Sequence, residues 1–130
     1  KSTCTVSSSW NSDLARLNTN LTGTILPRLV AALTTNGVRT GDLIMTNYYD
    51  PYINSCPNSL AYVQQLNAAI ASDAASFGVP VADAYDAFGG ANMGQHICSN
   101  TWICSFFGDI HPQDAGYTLI ANAFIAKAGY

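Results

Sequence analysis

Glutamate does not occur in this 130-residue chain: all eight acidic residues are aspartate, so any carboxylate chemistry must come from Asp. Charge of either sign is sparse, at 10 % of residues, and the five basic residues are scattered through a chain of net charge −3. Without a basic patch there is no electrostatic footprint for nucleic acid or an anionic membrane, so neither is an expected partner. No apolar run approaches the roughly 18 residues a bilayer span needs, which excludes a membrane-spanning segment and leaves a soluble globular chain.

What is present is a polar surface of Asn, Thr, Ser and Gln, an apolar fraction of 48 %, and four cysteines. The length supports one domain, residues 1–130, with one ordinary core. Cysteines at this density in a short chain point to a secreted or extracytoplasmic protein with disulfides. Lys1 is not an initiator Met, and a processed, mature N-terminus is the expectation there.

Trp10, Leu14, Leu17, Leu21, Ile25, Leu29 and Leu33 recur at steps of three or four, the spacing of an amphipathic helix. Ser8, Ser9 or Asn11 can cap its start, and Gly23 with Pro27 predicts a kink. Asn36-Gly37 reads as its stop signal. Residues 43–47 then read as a buried strand ending at the aromatic loop 48–52. A second helix opens at Pro57-Asn58-Ser59, carries Leu60, Val63, Leu66, Ile70, Ala74 and Phe77 inward, and closes at Gly78. Residues 79–82 form a second strand, which Pro80 pushes toward an edge. A loop over 83–107 leads to a last helix, 112–128, with Tyr117, Ile120, Ala121, Phe124 and Ala128 facing inward and Gly129 as its stop. Strand, helix, strand with this crossover predicts a parallel βαβ unit and an α/β class.

The chemistry concentrates in Gly108-Asp109-Ile110-His111-Pro112. A carboxylate two residues before an imidazole can fix the ring's tautomer and stabilise the imidazolium, while the second ring nitrogen takes a proton from a hydroxyl. Asp109 and His111 are therefore the candidate catalytic pair, orienting acid and general base.

The block Gly-Asp-Ile-His-Pro-Gln-Asp-Ala-Gly-Tyr, residues 108–117, resembles the last conserved block of the SGNH, or GDSL, hydrolases, mostly esterases and lipases. The order of helices and strands before it is similar to the second half of that family's domain. The resemblance implies a flavodoxin-like α/β/α three-layer sandwich with a mainly parallel sheet, here lacking its N-terminal strands. It implies a carboxylic-ester hydrolase acting on a small-molecule ester, with His111 as base, Asp109 as orienter and no cofactor. The family's usual spacing is Asp-x-x-His, and the shorter spacing here leaves Asp114 as an alternative acid. The family's Gly-Asp-Ser and Gly-x-Asn-Asp blocks are absent, so the nucleophile is unassigned: Ser7, Ser8 and Ser9 read as helix caps. A complementing N-terminal segment or a homodimer would then complete the site. The alternative is a non-catalytic exported module that pairs through its bare sheet edge.

Asn47, Tyr48, Tyr49 and Trp102 flank this block as the expected substrate-pocket lining, with Tyr52, Phe106 and Phe107 nearby. Cys4, Cys56, Cys98 and Cys104 allow three disulfide pairings. Cys98 and Cys104 close a short loop suited to a bridge, whereas the family resemblance favours a bridge from Cys56 to Cys98 or Cys104, leaving Cys4 over. His96, Cys98, Cys104 and His111 are conceivable zinc ligands, but their spacing matches no standard finger, and no metal is expected.

Overall fold

The computed structural model describes residues 4–129; Lys1, the expected processing boundary, lies outside them. The first helical stretch begins as α1 (Trp10–Asn20), with Ser9 at its N-cap position, and ends as α2 (Leu26–Ala32). Between them the chain makes a wide π turn, Leu21–Ile25. Pro27 is the cause: it cannot donate to the carbonyl four residues back, and its ring would strike that carbonyl in a regular turn. The extra residue in the π turn rotates everything after it. The buried stripe therefore passes from Leu21 to Leu26 and Val30, while Ile25 and Leu29, expected inside, are each 42 % exposed.

Asn36-Gly37 does more than stop a helix. Both residues take positive φ (51° and 77°), and the chain folds back so that β1 (Thr34–Thr35) pairs antiparallel with β2 (Val38–Arg39). Asn-Gly is the pair that a two-residue hairpin turn prefers.

The expected strand–helix–strand unit forms. β3 (Met45–Thr46) and β4 (Val81–Ala82) pair in parallel, Met45 against Val81 and Thr46 against Ala82, across α3 (Ser59–Ala75). Each strand holds only two residues, and Pro80 contributes an acceptor, its carbonyl taking the Met45 N–H at 3.0 Å, but no donor. Residues 83–107 are not a loop but a chain of short helices: α4 (Ala84–Ala87), a 3₁₀ turn (Gly90–Gln95), α5 (Ile97–Asn100) and a second 3₁₀ turn (Trp102–Cys104). The last helix, α6 (Asp114–Ala128), starts two residues later than its proline suggests and ends at Gly129 in left-handed conformation. Its inward face is Gly116, Leu119, Ile120 and Phe124, whereas Tyr117 and Ala121 are exposed.

These elements overturn the three-layer sandwich. Helix accounts for 57 % of the structure and strand for 8 %, in two tiny sheets of which one is antiparallel. A parallel sheet is a middle layer only when helices cover both faces of several long strands. Two strands of two residues cannot fill that role, and their short edges offer little ladder to a partner.

The core divides into two clusters. Leu21, Leu26, Ala74 and Val79 pack under α1–α2 and α3, and Phe88, Met93 and Ile97 pack against α6 and the short helices. Two disulfides brace the periphery, Cys4–Cys56 (Cα–Cα 5.4 Å) and Cys98–Cys104 (5.2 Å). The short-loop bridge is present, while Cys4, not a partner near residue 100, takes Cys56. The Asn58 side-chain amide donates to the Cys4 carbonyl (3.0 Å), so the N-terminal segment lies on the start of α3.

Candidate active site

The loop 105–111 hangs from a tightly bonded base. Thr101 and Pro112 form an isolated antiparallel bridge, the Trp102 N–H donates to the His111 carbonyl (3.0 Å), and the Gln113 N–H donates to the Asn100 carbonyl (2.8 Å). The Gln113 side chain adds donations to the carbonyls of Thr101 (2.7 Å) and Cys98 (3.2 Å). Thr101 is fully buried, its hydroxyl donating to the Ile97 carbonyl (2.7 Å). Gly116 lets α6 come down onto this base, against Asn100, Pro112 and Phe88. Gly108, at φ 60°, then turns the chain into Asp109.

Asp109 and His111 meet. Asp109 Oδ1 accepts the His111 backbone N–H at 2.9 Å and lies 2.5 Å from His111 Nδ1. The first contact is an Asx turn, in which a short acidic side chain bonds the backbone two residues on; the second uses the same turn to hold the ring. These two hydrogen bonds, the backbone one foremost, hold the Asp109 carboxyl below its ordinary pKa, so it remains an acceptor. The imidazole side chain is 71 % exposed, with Nε2 as its second nitrogen. Among the described residues no hydroxyl bonds that nitrogen. Asp114, the alternative acid, sits in the first turn of α6.

Tyr49 supports this loop from below. Its ring stacks on Phe88 (centroids 4.1 Å apart, planes 4° from parallel), and its hydroxyl donates to the Ile110 carbonyl at 2.6 Å. Burial first, then the proximity of Tyr117 and Asp109, pushes its pKa up to about 12.

Two cavities flank the Asp109–His111 segment. One, of about 480 Å³, has Ile110 in its wall together with Tyr48, Tyr49, Tyr52, Trp10 and Tyr62. The other, of about 440 Å³, is lined by Trp102, Ser105, Phe106, Phe107 and Asp109. The four expected pocket residues are thus divided. Tyr48 and Tyr49 face the first cavity and Trp102 the second. Asn47 lines neither, because its amide is spent on structure: it donates to Asp83 (2.8 Å) and accepts from the Tyr85 N–H (2.9 Å), tying the end of β3 to α4. Trp10 belongs to the first cavity although its helical spacing marks it only as a packing residue, and Tyr62, outside the expected inward face of α3, lines it as well.

Neither group of serines nearby meets the imidazole. Ser7 and Ser9 bond each other (2.7 Å) and the Ser9 hydroxyl donates to Asp13 (2.6 Å), so Ser9 holds the N-cap position of α1 without the expected side-chain capping bond to the helix backbone. Ser59, in the wall of the larger cavity, lies 2.5 Å from Asp50 Oδ2 and 2.6 Å from the Cys56 carbonyl oxygen. Its partners are acceptors, which makes it a latch between the aromatic loop and α3. Three or more metal-binding side chains do not cluster among the described residues, and both cysteines of the conceivable zinc set are in a disulfide. No helix among those residues is long and apolar enough to cross a membrane.

Comparison of the chain with protein-family models, with curated proteins and with solved structures finds no match.

Proposed function

We propose that this chain is a secreted carboxylic-ester hydrolase of the SGNH/GDSL type, in which His111 is the general base and Asp109 its orienting acid. The observation that carries the reading is the 2.5 Å contact between Asp109 Oδ1 and His111 Nδ1 on a ring whose side chain is 71 % exposed. The carboxylate fixes the tautomer with the proton on Nδ1, leaving Nε2 to accept one from a hydroxyl or a water. A serine from a complementing N-terminal segment or from a second copy of the chain would attack the ester carbonyl. His111 would take the serine proton and return it to the leaving alcohol, and water would then release the acid by the same route. The disulfides suit an oxidising extracellular setting.

Hydrolysis of p-nitrophenyl acetate tests the assignment. Base assistance by a positioned imidazole is typically worth about 10²–10⁴-fold, so His111→Ala should lower the rate by at least about 10²-fold. His96, exposed and outside the site, serves as the control, and His96→Ala should match the unmodified chain. Equal rates for all three proteins would remove His111 from the chemistry.

A further inference from the structure

We infer that the cleft between Trp10, Tyr48, Tyr52 and Tyr62 binds an uncharged aromatic ring, carried by either the acyl or the alcohol part of the ester. Only the word ester here rests on the hydrolase reading; the ring site stands on its own geometry.

The walls are flat and pinned. Trp10 meets Tyr62 edge to face (5.3 Å, 82°), and its indole N–H donates to Gln65 at 3.0 Å. The backbone that carries Tyr48 is held by Asn67, which accepts the Tyr48 N–H (2.9 Å) and donates to the Tyr48 carbonyl (2.8 Å). The Cys4–Cys56 bridge joins two further parts of the wall covalently. A site with a ring pair already fixed loses little freedom when a rigid planar ligand enters, whereas an alkyl chain must give up its own rotamers. Fixed ring faces and edges also reward another ring through offset or edge contacts.

The charge pattern narrows the ligand further. Among the described residues no Lys, Arg or His lines the cleft, so the described wall offers no counter-charge to a phosphate or carboxylate. Its one ionisable acid, Asp50, is fully buried, with Oδ1 accepting the Tyr52 N–H (3.0 Å) and Oδ2 beside the Ser59 hydroxyl. Val6, Val63, Leu66 and Ile110 supply the remaining apolar wall, and Ile110 links the cleft directly to the Asp109–His111 segment. A volume of about 480 Å³ suits one ring with a short linker.

Saturation-transfer NMR on the His111→Ala chain separates binding from turnover. The probes are methyl cinnamate (ring in the acid), 2-phenylethyl acetate (ring in the alcohol), methyl octanoate and acetylcholine. One or both aromatic esters should receive saturation through the ring protons, and Tyr52→Leu and Tyr62→Leu should each weaken that binding roughly three- to tenfold without changing methyl octanoate. If Tyr62→Leu does not fold, Tyr48→Leu replaces it, since that side chain is more than half exposed. Saturation confined to methyl octanoate or to the trimethylammonium group, or ring binding unmoved by the tyrosine variants, would overturn the inference. The unmodified chain then divides the two readings. Rings bound with ester hydrolysis independent of His111 leaves the cleft standing and removes the hydrolase, whereas His111-dependent hydrolysis with equal kcat/KM on cinnamate and octanoate and no ring contact does the reverse.

Discussion

Tyr49 ties the core to the Asp109–His111 loop through a single side chain. One face of its ring lies on Phe88 and its hydroxyl holds the Ile110 carbonyl, so the segment between Asp109 and His111 is fixed from the second core cluster. Its raised pKa carries a definite sign. Folding favours the neutral phenol, so the associated stability is complete below the ordinary tyrosine pKa of about 10 and is lost as pH rises from there through about 12. In an alkaline titration followed by phenolate absorbance, one tyrosine should ionise late, and Tyr49→Phe should delete that late step. The same substitution should cost about 0.5–1.5 kcal/mol in chemical denaturation, the usual net worth of one hydrogen bond. At this scale the sequence was informative where partners are neighbours. Asp109 and His111 are two residues apart, and an Asx turn needs nothing distant to form. Tyr49 and Ile110 are far apart in the chain, and no local pattern joins them.

Among the elements, α6 shows how one small residue sets the position of a site. Its N-terminal turn can approach α5 only because Gly116 has no side chain: an added Cβ would fall 2.9 Å from Pro112 and 3.1 Å from Phe88, and closer still to the Asn100 carbonyl. Gly116→Ala should therefore destabilise the chain by about 1–3 kcal/mol, as overpacking does, read as a lower denaturation midpoint. Because Pro112 and Gln113 would move with the helix, the variant should also lose the His111-dependent part of hydrolysis. The glycine was visible as a residue but not as a contact, which explains why the inward face of α6 was expected to include Tyr117 and Ala121. The stripe along α1 and α2 was displaced for a different reason. Periodicity assumes a uniform helix, and the turn forced by Pro27 inserts one residue into the count.

Across the whole molecule, the parallel pairing of β3 with β4 was readable because two short apolar runs flank a capped helix. The number and length of strands were not, since they depend on what covers a sheet rather than on the strand's own residues. The aromatic cleft was equally hidden: its walls come from residues 4–6, 10, 48–52, 56–66 and 110, brought together only by folding. The two bridges should differ in weight. On a chain-entropy model, the sequence separation of 52 between Cys4 and Cys56 corresponds to about 4 kcal/mol, and that of 6 between Cys98 and Cys104 to about 2 kcal/mol. Paired Cys→Ala variants compared by urea denaturation should preserve that order, and a larger loss from removing the shorter loop would count against it. The Cys4–Cys56 bridge lies in the wall of the Trp10 cleft, and the Cys98–Cys104 bridge ties α5 to the turn that carries Trp102. Where this polypeptide is synthesised consequently matters: among reducing agents both bridges would open, and the two covalent ties that brace its periphery would be lost.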